Sequence, residues 1–418
     1  MQTQQAMNKF VSKTGGWVAS QLEACTRCGM CAEACHFYQA TGNAEYAPVY
    51  KAELLRRAYE QRFTPAGRLK AALRIERRIN DEALLNWSRI VYYACTLCNK
   101  CALVCPMGIQ LGPLIHTVRE ALSASGFVPE DLKDTVKKQL EIGSPLGVTE
   151  KIWADRMEWI ADEWEVELPR DVKGAETMVV FSSIEVMKFP ENVAAIAKIL
   201  HKAGEKWTLS QKGREVVNFA FYEGNEEYTK LFIKRLFDAA QELGVKRIMV
   251  TECGHAYDAL RWTAANLMEM PKGLEIIHIA GLLGDYVRAG RIKLKRGSHD
   301  NETITFHDAC KIQRRGGHIN EPREILRILA PNSFKEMTPN KEEAICCGGG
   351  GGVIAIKEAD PLRYAVFELK IDQLKKAGAK SVAMTCANCR LQFADCVQHF
   401  GLDVKVRGLS EMVAEALG

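Results

Sequence analysis

An α-helical amino-terminal domain joined to a duplicated α/β domain is the architecture this sequence predicts, and three observations carry it. A cysteine run of the form C-x2-C-x2-C-x3-C occurs twice before residue 107, and the copies are separated by a Leu-, Arg-, Lys- and Glu-rich stretch, Ala52 to Ile90, that reads as amphipathic helices. At Thr177 the character changes to β-branched runs alternating with helical patterns, the signature of βαβ units and parallel sheets. That alternation then recurs at nearly the same scale, since Ser182 to Cys253 spans 71 positions and Cys310 to Cys386 spans 76.

Taken in order, residues 1–145 form the helical domain. Turn residues gather at Gly143-Ser144-Pro145-Leu146-Gly147, and a Trp-rich acidic segment, Trp153 to Trp164, leads to Pro169, so 146–175 reads as a linker that packs on both sides. The first α/β half, 176–297, contains MVVFSSI, a helix over Pro190 to Ala203, another over Tyr228 to Leu243, and RIMVTEC. The second, 298–418, repeats the scheme as TITFHDAC, Arg323 to Leu329, Arg363 to Ala377, and SVAMTC. The expectation is two pseudo-symmetric βαβ halves, the second rich in cysteine and the first nearly stripped of it.

Composition narrows the function classes. A chain of 418 residues, 47% hydrophobic and 26% charged, has ample material for several cores, and a net charge of +4 without any block of like charge gives no footing for nucleic acid. No apolar run approaches the roughly 18 residues a spanning helix needs, and MQTQQAMNKFVSKTGG lacks the apolar core of a signal peptide. The protein is therefore expected in the cytoplasm, without a direct membrane span, any membrane contact at the inner face coming through a partner. Fifteen cysteines in that compartment argue for metal ligation and redox chemistry over a disulfide framework.

The two runs are Cys25, Cys28, Cys31, Cys35 and Cys95, Cys98, Cys101, Cys105, the second followed by Pro106. Three cysteines two residues apart wrap one corner of a four-iron cubane, while the fourth points away and ligates the neighbouring cluster. Cys25, Cys28, Cys31 and Cys105 are thus assigned to one cubane, and Cys35, Cys95, Cys98 and Cys101 to the other, in a ferredoxin-like double-cluster domain. A zinc site takes two C-x2-C pairs or cysteine with histidine, and has no need of this run twice. His36 stands where the bacterial run has Pro, which removes no ligand.

The second constellation is Cys310, 35 residues, Cys346-Cys347-Gly348, 37 residues, then Cys386-x2-Cys389. Five thiolates is one more than an ordinary cubane takes. The Gly348 to Gly352 run gives the backbone freedom that adjacent cysteines need to face one centre. Cys310 and Cys386 each end a predicted strand, which places their thiols at the carboxyl edge of a parallel sheet, where open α/β folds bind ligands. The glycine run lacks the Lys-Ser/Thr of a phosphate loop and the spacing of a dinucleotide fingerprint.

This pattern resembles the cysteine-rich CCG domain of heterodisulfide reductases. The strings HDAC at 307–310, EPREIL at 321–326, CCGGGGGV at 346–353, CANCRLQF at 386–393 and WTLSQKGREVVNFAFYEG at 207–224 resemble DsrK, a subunit of the sulfite-reductase-associated membrane complex, and its heterodisulfide-reductase-D-like cousins. The resemblance spans nearly the whole chain. It implies that Cys310, Cys346, Cys347, Cys386 and Cys389 hold a noncubane four-iron cluster that cleaves or forms a disulfide, fed by two cubanes. The implied setting is a sulfur-metabolism complex with a membrane cytochrome b-type or flavin subunit and a small DsrC-like protein as thiol or disulfide substrate. A full heterodisulfide reductase carries two complete CCG motifs, whereas the first half here keeps only Cys253 in ECGHAY, with Ser182-Ser183 and Trp207 to Ser210 at the other cysteine positions. One catalytic cluster is therefore expected. The same layout also suits an iron–sulfur subunit of a glycolate/lactate or glycerol-3-phosphate dehydrogenase that passes electrons from a flavin partner to quinone, and a third reading is a scaffold whose clusters only hold a complex together.

Other groups are open to two readings. If the pseudo-twofold holds, Cys253 with His255 faces the second half's site as a substrate-side thiol, proton donor or extra ligand; the alternative is a relic packed in the core. His307 beside Asp308 reads as an acid–base pair or as a turn and cap. His318 with Arg314-Arg315 reads as a binder of an anionic substrate tail or as a solvated loop, and Cys396 as packing.

Overall fold

The computed structural model describes residues 2–73, 75 and 79–418. The fold is mostly helical with small parallel sheets, and the chain divides into two compact units. The first comprises 1–136, 219–226 and 348–369; the second comprises 137–218, 227–347 and 370–418.

In the first unit the Ala52–Ile90 stretch forms three helices among its described residues, Glu53–Phe63, Pro65–Ala72 and Asp81–Ser88, positions 74 and 76–78 lying outside the description. The first break falls where Thr64 accepts the Gly67 N–H and Pro65 supplies a first helical residue that needs no N–H partner. Asn80 caps the third helix through Ala83 N–H. The helix Leu111–Ala124 is the central strut, burying Leu114, Ile115, Val118, Ala121 and Leu122.

Arg119 on that strut is wholly buried, stacks over the Tyr92 ring and hydrogen-bonds to carbonyls. Its guanidinium donates to Val91 O (2.7 and 3.1 Å), Cys95 O (2.6 Å), Tyr222 O (2.8 Å) and Gly351 O (2.6 Å). One side chain thereby reaches both short segments, 219–226 and 348–369, and Tyr92, Tyr93, His116 and Asp131 add further hydrogen bonds to them. Gly351, at φ 63°, lies so close to Thr96 that a Cβ there would meet its backbone at 2.7 Å, so only glycine permits the approach.

Glu223 of the same segment is buried, and burial, opposed only by Lys133, pushes its carboxyl up to about 7. The folded form keeps a proton that the unfolded chain releases near pH 4.5, so this contribution to stability is complete below that pH and lost as pH rises through 7. Glu223→Gln is expected to flatten the fall in urea midpoint between pH 5 and 8.

The second unit holds seven strands among the described residues. β1 (Thr177–Val180), β2 (Trp207–Thr208), β3 (Arg247–Val250) and β4 (Glu275–His278) form a parallel sheet in the order β2-β1-β3-β4. β5 (Ile304–Phe306), β6 (Ser381–Met384) and β7 (Lys405–Gly408) form a second parallel sheet in that order, with Phe306 opposite Ala383. One sheet has four strands and the other three. A shared core runs under both and includes Val179, Phe181, Ile196, Leu200, Met249, Leu283, Phe306, Leu326, Ala383 and Met412. Within 146–175 the chain forms a helix, Glu150–Glu163, capped by Thr149 and packed into this core through Trp153, Met157 and Ile160.

Candidate functional site

Both cysteine runs of the first unit adopt the same local backbone. Residues two and four places beyond the first cysteine have positive φ, Arg27 (58°) and Gly29 (84°) in one run, Leu97 (52°) and Asn99 (60°) in the other. A non-glycine side chain in this region costs about 1–2 kcal/mol. Finding Arg27 and Leu97 there at equivalent positions marks a constraint imposed by what the loops surround. The turns close alike, with Ala32 N–H to Gly29 O and Ala102 N–H to Asn99 O.

Each loop borders a small cavity. The first is lined by Cys25, Cys28, Cys31 and Cys105 with Met30, Val49, Met107 and Ile109. The second is lined by Cys35, Cys95, Cys98 and Cys101 with His36, Phe37, Lys51 and Ile115. The last cysteine of each run therefore lies in the other run's cavity. Cys28 is exposed, and Met30 and Met107 beside it are each 52% exposed, so the first cavity meets the surface. Cys95 and Cys101 of the second are buried, and burial pushes both thiols up. Lys51, 1% exposed, sets its ammonium 3.3 Å from Cys35 Sγ and donates to Ala94 O. Burial opposes its charge, but Cys35 and Cys95 outweigh it and hold its pKa above the ordinary lysine value.

In the second unit the cysteines gather where strands end. β5 delivers Cys310 at the first turn Cys310–Arg314, and β6 delivers Cys386 as the residue preceding the helix Ala387–His399, with Cys389 in its first turn. Cys346 and Cys347 come from the loop that ends at Gly348, whose φ is 91°. Cys346, Cys347, Cys386 and Cys389 are buried and Cys310 is half-buried. The Cys389 thiol bonds to those of Cys347 and Cys386, and the Cys347 and Cys389 sulfurs lie within 4.8 Å of one another and of a His307 ring nitrogen. The Cys386 thiol is lowered chiefly by Cys389, helped by backbone N–H groups of Cys389, Gly254 and Asn388, while Cys389 is raised. Lys370 is buried beside Cys346 and Cys347; burial lowers it to about 8 against their attraction, and it donates to Gln373 Oε1 at 2.8 Å.

The end of β3 meets this set. Ala387 N–H donates to Glu252 O and Gly254 N–H reaches Cys386, so Cys253, buried, faces Cys386, which after burial is the main cause of its raised thiol pKa. His255 is buried and pushed down to about 3, first by burial and then by Lys311, so it is neutral. Asp258 is committed to Lys311 (2.9 Å) and Arg315 (2.8 Å).

The end of β1 carries oxygen groups instead of thiols. Ser182 caps the helix Ser183–Lys188 in a capping box with Glu185, whose carboxylate also accepts from Thr251 Oγ (2.9 Å) and Glu252 N–H (3.1 Å).

His307 and Asp308 do not pair. Asp308 binds Arg323 through both oxygens at 2.8 Å and accepts Lys341 N–H, while Arg323 also meets Glu336. Arg314 donates to the carbonyls of Glu342 and Ala344, Arg315 binds Asp258, and His318 meets Tyr257 and Glu321, so this group is tied internally. Cys396 is wholly buried and accepts from Gln392 at 3.2 Å. Lys51, Arg119 and Lys370 escaped the sequence reading, since no spacing rule marks a lone cation that folding carries to a cysteine loop.

Known proteins bear on this arrangement. Residues 21–109 match a 4Fe-4S dicluster domain and residues 304–394 a cysteine-rich domain. The Hdr-like menaquinol oxidoreductase iron-sulfur subunit 2 of Archaeoglobus fulgidus is 27% identical over 95% of this chain and 80% of its own length. A subunit of the dihydromethanophenazine:CoB–CoM heterodisulfide reductase of Methanosarcina barkeri is also 27% identical, over 95% of this chain and 94% of its own. The EtfAB:quinone oxidoreductase of Syntrophomonas wolfei is 25% identical over 90% of this chain and 55% of its length. A hypothetical protein from Helicobacter pylori shares the fold, with a TM-score of 0.55 at 12% identity over 99% of this chain and 76% of that one. Among the described residues no helix is long and apolar enough to cross a membrane. The chain thus carries a 4Fe-4S dicluster domain followed by a cysteine-rich domain, and over nearly its whole length it is similar to iron–sulfur subunits of Hdr-like oxidoreductases and to a heterodisulfide reductase subunit.

Proposed function

We propose that this subunit exchanges electrons between a redox partner and a disulfide or pair of thiols in sulfur metabolism, as the DsrK-like branch of its family implies. Cys25, Cys28, Cys31 and Cys105 would hold one cubane and Cys35, Cys95, Cys98 and Cys101 the other. Cys310, Cys346, Cys347, Cys386 and Cys389 would hold a noncubane cluster in the complete half of a duplicated α/β domain. The observation that carries the reading is the gathering of Cys347, Cys386 and Cys389 thiols at a sheet edge, buried and flanked by the cation Lys370. When bound, such clusters take up and hand on single electrons and offer iron to sulfur.

The chain's own groups supply the rest. Cleaving a disulfide consumes two electrons and two protons and yields two thiols; the reverse step returns them. Lys370 and Lys51 place fixed positive charge where reduction adds negative charge, in a setting where it is weakly screened. Cys253, at the edge of the site, is the group positioned to act as a substrate-side thiol, with His255 neutral two residues on. The donor or acceptor would be a flavin or cytochrome b-type subunit, which would also bring this subunit to the cytoplasmic face of the membrane; a small DsrC-like protein suits the thiol role.

The test is paramagnetic resonance of anaerobically purified protein, oxidised with and without dithiothreitol. A signal that appears on thiol treatment supports the reading. A spectrum indifferent to thiols favours a second reading, electron transfer alone, which the likeness to the EtfAB:quinone oxidoreductase supports.

Lys51→Met gives an independent check on the cubanes. Loss of a buried charge 3.3 Å from Cys35 Sγ is expected to lower the midpoint potential of one cubane signal by on the order of 100 mV and leave the other in place. A redox titration followed by resonance measures it.

A further inference from the structure

His307 is wholly buried, and neither ring nitrogen has a hydrogen-bond partner among the described residues. Its backbone is pinned, since His307 N–H donates to Ala383 O at 2.9 Å and extends the β5–β6 pairing. Its ring packs on Phe393, centroids 4.8 Å apart. The neighbouring carboxylate, Asp308, is taken by Arg323 and Lys341 N–H. What the ring does face is sulfur: one nitrogen lies with the Cys347 and Cys389 sulfurs in a group whose members are all within 4.8 Å.

An imidazole always carries at least one N–H, and a buried donor without a partner is rare enough to require a cause. Resting on the function proposed above, we propose that the His307 ring donates an N–H hydrogen bond to sulfur of the cluster held at Cys347 and Cys389, making it a positioning residue for that cluster.

Direct ligation of iron by the ring is the competing arrangement, and the second nitrogen decides between them. A metal-bound histidine almost always donates its other N–H to a carboxylate, carbonyl or water. Here that nitrogen faces no acceptor among the described residues, so ligation would strand an N–H, whereas donation to sulfur leaves only an unused lone pair, the lesser penalty. Hydrogen bonds to the sulfurs are one of the levers on cluster potential, so His307 favours the reduced, more negative state. Sequence alone left His307 with Asp308 open between an acid–base pair and a turn or cap; in the structure Asp308 is taken by Arg323, and the His307 ring lies beside the thiols.

The experiment needs no variant at its first stage. Holoprotein grown with 15N-histidine and with natural-abundance histidine is compared by pulsed resonance on the thiol-responsive signal. A weak nitrogen coupling that changes with the label supports the hydrogen bond. A strong coupling of a direct iron–nitrogen bond overturns it, and so does absence of any label-sensitive coupling, as when a buried water satisfies the ring. In the second stage His307→Leu is expected to lose the coupling with iron content unchanged. Its oxidised-to-reduced ratio at fixed potential should shift at least tenfold toward oxidised, about 59 mV for a one-electron couple. His307→Gln, which keeps an N–H donor, should recover part of that shift; an unchanged potential in both variants overturns the proposal. If the thiol-responsive signal is present but carries no nitrogen, only this inference fails; if the signal itself is missing, the functional reading fails with it.

Discussion

Cys347→Ser is expected to remove about four of about twelve irons per chain while both cubane signals persist, because its ligand set lies wholly in the second unit and the cubane sets in the first. The Cys347 sulfur is buried against that of Cys389, which also meets Cys386, so its loss breaks the set. A serine oxygen is a harder donor and a poor substitute for thiolate at iron. Thiol-dependent resonance should vanish, and disulfide turnover should fall by about a hundredfold or more, the scale at which a group used in the transition state is lost. Cys396→Ser is the control: that thiol is wholly buried and bonded to Gln392, and its replacement should leave iron content unchanged. Iron and sulfide analysis of the two variants side by side measures the contrast.

Arg119→Leu carries the largest expected stability effect. Four buried carbonyls, those of Val91, Cys95, Tyr222 and Gly351, lose their donor at once. Each stranded acceptor costs about 1–3 kcal/mol, and partial relaxation brings the sum to about 3–5 kcal/mol, beyond the usual range for a single substitution. Segments 219–226 and 348–369 should open first, because Tyr222 and Gly351 depend on that guanidinium. Amide exchange of the holoprotein would register faster exchange in those segments, and urea titration the lower midpoint. A change under about 1 kcal/mol would mean that other groups satisfy these carbonyls.

What was legible in the sequence was what spacing encodes. Cysteines two and three residues apart define a loop that can wrap a cluster, and the αL residues at 27, 29, 97 and 99 are the backbone form of that spacing. Strand-to-helix alternation was legible for β1, β3, β5 and β6 because each contains a short apolar run. The edge strands β2 and β7 were not: Trp207–Thr208 is two residues long, and Lys405-Val406-Arg407-Gly408 carries charges that read as loop. Nor did the sequence reveal that 219–226 and 348–369 fold with the helical unit, since that association rests on long-range contacts such as those of Arg119 and Tyr92, more than a hundred residues upstream of Tyr222 and Glu223. Spacing drew attention to Ser182, but the network it forms with Glu185 and Thr251 is visible only in three dimensions.

The central claim is that thirteen cysteines of this chain grip three clusters, the last of them at Cys310, Cys346, Cys347, Cys386 and Cys389. Iron and acid-labile sulfide determination on anaerobically purified protein, with Mössbauer spectroscopy on an iron-57-grown sample, tests it most directly. About twelve irons, with about a third of the spectral area in a component distinct from cubanes and altered by added thiol, is the predicted result. About eight irons, all accounted for by cubanes, would contradict it.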